Sequence, residues 1–316
     1  MSPNARLQKK RWLHAVCTAT AGATLALVMV GGLVTNTGSA LAVPDWPTTF
    51  GYNMFTYPPS QWIGGVLYEH SHRLLGSLVG FLTILLLVAA WRWEDRPWVR
   101  WLSALALVAV VLQGVLGGMR VVLLRHELAI IHGCFAQAFF GLLVTLWVVT
   151  SETWERLSAS PGIGRSSWIG GLLAILVPGA VFSQIALGAL VTHRGQALWE
   201  HIGMAGVVAT LVLCAFTWVM RNARDVRALR IPVFALAGLV SLQLSLGLMA
   251  YLWHFTNLHL QLPYGVGLGL LAAHRMTGTL LWGTSLVFAL RLGRVRAASL
   301  GPVWHGAETG ASKAWT

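Results

Sequence analysis

Cysteine is scarce in this 316-residue sequence, and its three residues lie far apart. Cys17, Cys134 and Cys214 fall within apolar segments, and no Cys-x-x-Cys motif occurs. The sequence therefore indicates neither a disulfide framework nor a zinc site. The Cys-x-x-Cys-His motif is also missing, which excludes covalent attachment of c-type haem by that motif.

Charged residues are also few. They make up 10% of the sequence, whereas hydrophobic residues make up 56%, and this excludes an ordinary soluble domain. Apolar windows long enough to cross a bilayer recur along the whole chain. The sequence predicts eight spans, at 13–35, 63–91, 101–120, 127–150, 168–191, 198–220, 231–252 and 264–290. Because only helices and closed barrels satisfy backbone groups in lipid, we expect an all-α polytopic membrane protein.

Acidic residues are rarer than basic ones, with 10 Asp and Glu against 22 Lys and Arg and a net charge of +12. The positions of the basic residues favour a membrane over nucleic acid as the partner. All but five lie before the first span, after the last span or in alternate loops, so the positive-inside rule places both termini in the cytoplasm of a multi-pass plasma-membrane protein. An uncleaved first helix fits better than a cleaved signal peptide, because its apolar run is long and seven spans follow.

The spans form two repeated halves, at residues 1–157 and 158–316. Odd-numbered spans three, five and seven carry a Gln-x-x-x-Gly motif, and the first span keeps the glycines without the glutamine. The motifs begin at Gln113, Gln184 and Gln243. Weak internal symmetry of this kind is typical of duplicated membrane folds, so we expect eight transmembrane helices as two pseudo-symmetric four-helix bundles.

Each even-numbered span has one histidine near its outer end and a small residue four positions later. The histidines are His72, His132, His201 and His274, and the small residues are Gly76, Ala136, Ala205 and Gly278. Residues i and i+4 share a helical face, so a flat macrocycle could approach the backbone beside each imidazole. Neutral imidazole is a good iron ligand, and the pattern predicts two bis-histidine haem sites, His72 with His132 and His201 with His274. The alternatives are packing histidines, or a bare-metal site or proton relay.

Two of the five outer arginines directly follow a predicted ligand. Arg73 follows His72 and Arg275 follows His274. Haem propionates are carboxylates, and arginine pairs with carboxylates in a bidentate manner, so both are candidates for propionate binding. Arg120, Arg125 and Arg194 are weaker candidates, and the alternative for each is snorkelling to lipid headgroups.

An acidic residue distinguishes the first half from the second. Glu69 precedes His72 by three residues and shares its face, and no acid stands at the matching position before His274. Glu69 could orient a histidine or pair with Arg73, or it could deliver protons and stabilise positive charge on a substrate. The long outer loop 36–62 either folds over this half as a lid or is an ordinary packed connection. The first half is therefore predicted to be the working site.

With these motifs in place, the sequence resembles the haem A synthases of aerobic respiratory chains. The resemblance extends from GGLVTNTGSALAVPDWPTTFG through EHSHRLLG, IIHG and EHIG to AAHRMTG. It implies successive hydroxylations of the C8 methyl of haem O to the formyl of haem A for terminal oxidases. It also implies Glu69 as the essential acid, His72 and His132 in the substrate half, and His201 and His274 as ligands of a haem b cofactor.

The implied partners are the substrate haem O, a membrane electron donor and the lipid bilayer, but no nucleic acid. Haem O synthase (protohaem farnesyltransferase) and a second copy of the chain are candidate partners. Some family members carry a cysteine pair in outer loops, which this sequence lacks, so we do not expect a mechanism that needs a thiol couple. The alternative function is a di-haem b-type cytochrome that transfers electrons without modifying haem. A transporter with inverted repeats is less favoured, because both halves have the same topology.

Overall fold

The computed structural model describes residues 3–157, 168–257 and 263–299, and the regular structure in these ranges is helical apart from one isolated bridge between Thr49 and Tyr52. The helices are α1 (Pro3–Asn36), α2 (Gly65–Trp93), α3 (Pro97–Leu123), α4 (His126–Val149), α5 (Glu152–Leu157), α6 (Trp168–Arg194), α7 (Leu198–Asn222), α8 (Arg227–Phe255) and α9 (Tyr264–Ser299). A 3₁₀ turn at Pro59–Gln61 precedes α2. The segment 158–167, at which we divided the chain into halves, lies outside the described residues.

Seven of these helices are long and apolar enough to cross a membrane: α1 to α4 and α6 to α8. The prediction of an all-α, multi-pass membrane protein is confirmed. The eighth predicted span corresponds to α9, which has 36 residues but is not among the seven. Polar residues such as Arg275 and Arg291 dilute its apolar character, so the count of eight stays a prediction.

The helices extend beyond the apolar windows that predicted them. α1 begins at Pro3, ten residues before its predicted start, and α9 continues nine residues past its predicted end, to Ser299. Hydropathy marks the part of a helix that suits lipid, whereas the backbone hydrogen bonds continue through the basic flanking residues. Each predicted window therefore coincides with a helix, but the helix ends differ from the predicted ends.

Each set of four long helices forms a closed ring of neighbours. In the first set α1 packs on α2, α2 on α3, α3 on α4 and α4 on α1, and α6 to α9 repeat the same sequence of contacts. The two rings meet through α4 and α1 on one side and α9 and α6 on the other. At one end of the first ring, α1 and α3 end and α2 and α4 begin. At the corresponding end of the second ring, α6 and α8 end and α7 and α9 begin. We call this end the histidine end.

Each ring has its own apolar core, and both cores lie away from the histidine end. The first buried core residue in each even-numbered span follows the histidine by seven positions; these residues are Val79, Phe139, Val208 and Leu281. Seven residues are two helical turns, or about 10 Å. Both buried apolar clusters therefore begin two turns beyond each imidazole.

A buried polar contact joins the rings. The Gln137 side-chain amide donates to the Thr279 hydroxyl over 3.0 Å, and the Trp282 indole donates to the Gln137 carbonyl over 2.8 Å. Gln137 and Thr279 each lie five residues beyond the histidine of their own helix, His132 and His274. The contact therefore sets the register of α4 against α9, the two histidine-bearing helices that face each other across the rings.

Candidate functional site

Each of the four histidines lies against a glycine of the preceding long helix. A Cβ atom built on the glycine would fall 2.9–3.2 Å from Cε1 of the ring. The pairs are Gly31 with His72, Gly117 with His132, Gly188 with His201, and Gly247 with His274. A side chain at Gly31 would displace its ring, and one at the other three glycines would push the ring away by a few tenths of an ångström, so the repeated glycines let each imidazole lie close to the neighbouring helix.

Three of the four imidazoles also contact a glutamine amide. Nε2 of Gln113, Gln184 and Gln243 lies 3.3 Å from Nε2 of His132, His201 and His274 respectively. In each Gln-x-x-x-Gly motif the two ends share a helical face, so one helix supplies both contacts to the ring. The matching position beside His72 is Leu27, which has no side-chain amide, and the ring interacts with the Leu27 backbone instead.

His201 and His274 face each other directly. Their ring centroids are 6.3 Å apart and their planes cross at 71°. Two metal–nitrogen bonds of about 2.0–2.1 Å, together with the distance from each nitrogen to its ring centre, span a similar length. Nδ1 of both rings is buried without a hydrogen-bond partner in the described residues, so each ring has a nitrogen to spare. The separation of this pair matches the length that two imidazoles on one iron ion require.

His72 and His132 share the corresponding end of the first ring. Nδ1 of each is also buried without a partner, and both rings lie within electrostatic range of each other and of the Arg120 guanidinium. One turn deeper, a Cβ built on Gly76 would meet nothing within 4 Å. The first ring therefore offers two imidazoles and an open surface beside one of them. Among the described residues, no three His, Cys, Asp or Glu side chains converge on a metal-sized site.

Glu69 is a buried carboxylate with two partners. Its side chain is 5% exposed, and its oxygens accept hydrogen bonds from the Val43 backbone amide over 3.0 Å and from Arg73 Nη2 over 2.9 Å. Arg73 follows Glu69 by four residues, so the ion pair spans one turn of α2. A buried acid held by one cation and one amide is fixed in position near His72, which shares its helical face.

The Arg73 guanidinium donates its hydrogen bonds to other groups of the protein. Besides Glu69, its terminal nitrogens donate to three loop carbonyls, those of Val43, Asp45 and Thr48, over 2.7–3.0 Å. The guanidinium therefore ties the outer loop to α2. Sequence reasoning proposed propionate binding for this residue but could not foresee these backbone acceptors.

Arg275 bridges the two rings. Its Nη1 donates to the Gly32 carbonyl in α1 over 3.0 Å, and its Nη2 to the Thr192 hydroxyl in α6 over 3.3 Å. Gly32 follows the glycine on which His72 rests. The arginine that follows His274 thus contacts the residue next to the glycine on which His72 rests.

The loop between α1 and α2, residues 37–64, folds back over the histidine end of the first ring. The Trp46 ring lies so close to Gly118 in α3 that a Cβ there would overlap it, and His70 is fully buried beside Tyr57 and Trp62. Asp45 organises the tip by accepting hydrogen bonds from the backbone amides of Phe50 and Gly51 and from the Thr48 hydroxyl. Partial burial raises the pKa of Asp45, but these hydrogen bonds outweigh it and hold the pKa below its ordinary value.

The glycine and glutamine contacts are features of the candidate site that sequence reasoning did not assign. The Gln-x-x-x-Gly repeat was visible, but it was used only as a sign of duplication. The signal that could have identified these contacts is the match between three glutamines and three of the four histidines. The backbone amide of Val43, which holds Glu69, has no sequence signature at all.

Comparisons of the sequence with known proteins point to one family. Residues 60–200 match the family described as COX15-CtaA, cytochrome oxidase assembly protein. The chain is 27% identical to heme A synthase of Shouchella clausii over 78% of this chain and 89% of that protein. It is 25% identical to heme A synthase of Geobacillus kaustophilus over 94% of this chain and 97% of that protein. Heme A synthase of Alkalihalophilus pseudofirmus is 31% identical over 50% of this chain and 52% of that protein.

Proposed function

We propose that this chain, a member of the haem A synthase family, oxidises a methyl group of haem O to the formyl group of haem A. The observation that carries the proposal is the buried Glu69 beside a histidine pair in one ring only. A repeated arrangement with an acid in one copy supports one reacting site and one supporting site. This is oxidoreductase chemistry at a CH group of the substrate.

The substrate haem O would be held in the first ring by His72 and His132. His201 and His274 would hold a haem b cofactor, which when bound supplies one-electron redox chemistry. The 6.3 Å separation of the second pair and the buried, unpartnered Nδ1 atoms of all four rings support this assignment. Each glycine support would keep its imidazole from turning away from the iron.

Glu69 would act on the reacting carbon of the substrate. Oxidation of a methyl group develops positive charge at the macrocycle edge, and a fixed carboxylate in a site of low dielectric stabilises such charge. The backbone amide of Val43 and the guanidinium of Arg73 hold that carboxylate in place. Arg275 stays a candidate for propionate binding. Arg73 could bind a propionate only by giving up a hydrogen bond to a loop carbonyl.

The test of this role is Glu69→Gln. The amide keeps an oxygen for the Val43 amide but loses its charge, so we expect haem O to bind normally and its conversion to fall about 10²–10³-fold. Co-expression with a haem O synthase, extraction of the haems in acid acetone and chromatography measure the ratio of haem A to haem O. Glu127→Gln, an exposed acid at the same end of the rings, is the matched control.

The same extraction tests the alternative function. A di-haem b-type cytochrome would return haem b and unchanged haem O, whereas the proposed enzyme returns haem A. Normal conversion by the Glu69→Gln protein would remove the carboxylate from the mechanism.

The wider architecture follows from the same proposal. We infer that α9 is the eighth span and that the rings are two pseudo-symmetric four-helix bundles, divided as 1–157 and 158–316. Both termini would lie in the cytoplasm and the histidine end at the outer face of the plasma membrane. The matching neighbour contacts of the rings and the placement of the basic residues support this arrangement. Haem O synthase, a membrane electron donor and a second copy of the chain stay proposed partners.

A further inference from the structure

Arg120 lies at the histidine end of the first ring, one turn beyond the contact between α3 and His132. It follows Gly117, the glycine under His132, by three residues and therefore shares its helical face. The neighbouring Gly118 is covered by Trp46 of the loop. Arg120 is thus placed between the loop and the histidine pair, and its charge interacts with Glu69, His72 and His132.

Arg120 is partly buried, yet it makes no hydrogen bond or ion pair with any residue in the described part of the chain. The two arginines that follow predicted ligands differ in this respect. Arg73 donates four hydrogen bonds to the loop and Glu69, and Arg275 donates to Gly32 and Thr192. A partly desolvated guanidinium with five free donors is costly unless an anion pairs with it.

The position is also specific to the first ring. Three residues after the ring-contacting glycine, the other odd-numbered spans carry Val34, Val191 and Ala250. The cation and the buried acid Glu69 therefore occur in the same ring and in no other copy of the repeat. Because Glu69 is already paired with Arg73, Arg120 gives this site an uncompensated positive charge.

We propose that Arg120 binds a carboxylate of the substrate macrocycle in the first ring and so selects substrates that carry a free acid. The inference rests on the proposed function, which places haem O between His72 and His132. Two parallel hydrogen bonds from a guanidinium to a carboxylate would fix the rotation of the macrocycle about its iron. That rotation decides which edge faces Glu69, so Arg120 is a positioning residue as well as a binding one.

A carboxylate of the macrocycle and a phosphate of a lipid are both oxyanions that accept hydrogen bonds from a guanidinium. The experiment separates the two sources. Full-length protein, purified with its haem b in a neutral maltoside detergent from cells that lack haem O synthase, is titrated with haem O and with haem O dimethyl ester. Absorption changes in the Soret region give the dissociation constant for each compound.

We expect Arg120→Gln to weaken haem O binding about 10- to 100-fold and to leave ester binding unchanged. Arg120→Lys should recover part of the affinity, because it keeps the charge but not the bidentate fork. Arg156→Gln is the matched control; Arg156 is an exposed arginine at the opposite end of the rings that already pairs with Glu152, and its loss should change neither constant.

Equal loss for the acid and the ester would overturn the inference, because it would indicate a structural role. No loss for haem O in detergent would also overturn it, and an effect seen only in nanodiscs with anionic phospholipid would assign Arg120 to a lipid phosphate. A wild-type protein with Arg120-dependent haem O binding but no haem A formation would contradict the proposed function and leave this inference standing. No haem O binding by the wild type would contradict both.

Discussion

At the scale of single residues, the histidines depend on what lies behind their rings. A Cβ on Gly31 would fall 2.9 Å from His72 Cε1, closer than carbon atoms approach without displacement. Overpacking of this kind costs about 1–3 kcal/mol. We therefore expect Gly31→Ala to displace His72 and to weaken haem O binding by about tenfold, measured by absorption titration. Gly22→Ala in the same helix meets nothing within 4 Å and serves as the control; equal effects of the two changes would contradict the supporting role.

The residue scale is also where sequence reasoning was least complete. The histidine spacing and the isolated acid could be read from the sequence, because both depend on local helical periodicity. The partners of Arg73 could not, because they are carbonyl groups of a loop whose path depends on tertiary folding. The free state of Arg120 became visible only once the partners of the other arginines were known.

At the scale of elements, the loop 37–64 holds the buried acid in place. Val43 in this loop donates to Glu69, and Asp45 organises the loop tip through three hydrogen bonds. The pKa of Asp45 is lowered in the folded loop. A lowered folded pKa stabilises the loop fully above the unfolded value of about 3.9 and loses that effect as the pH falls through the folded value.

The loop should therefore loosen in acid because Asp45 becomes protonated. We expect amide hydrogen exchange in residues 37–64, corrected for intrinsic rates, to rise below pH 4, and Asp45→Asn to exchange quickly at every pH. Asp225→Asn changes an exposed acid at the opposite end of the chain's second ring and should leave the profile unchanged. A wild-type profile that stays flat through pH 3 would contradict this role of Asp45.

Helices were easier to predict than this loop, for a physical reason. A spanning helix satisfies its own backbone hydrogen bonds, so hydropathy alone locates it. α9 shows the limit of that rule, since the residues that suit its proposed site, such as His274 and Arg275, lower its hydropathy. The polar residues that the proposed site needs therefore make α9 harder to recognise as a span from its hydropathy.

At the scale of the whole molecule, two similar rings have diverged in charge while they keep the same frame. Both have an apolar core that begins seven residues beyond the histidine, and both place histidines on glycines. Within the residues that the structure describes, only the first ring adds Glu69, Arg120 and a folded loop. The buried contact of Gln137 with Thr279 and the bridge from Arg275 to Gly32 hold the rings in fixed register. A fixed register would suit the proposed arrangement, in which the first ring holds the reacting site and the second ring a redox site.

The most direct test of the account is the absorption and haem content of the purified protein and its four single His→Ala variants, expressed with ample haem supply. We predict a Soret band in the wild type. Loss of His201 or His274 should remove haem b, whereas loss of His72 or His132 should abolish haem O uptake and leave haem b bound. Wild-type protein without a Soret band, or variants that all retain both haems, would contradict the central claim that paired imidazoles in each ring hold the iron.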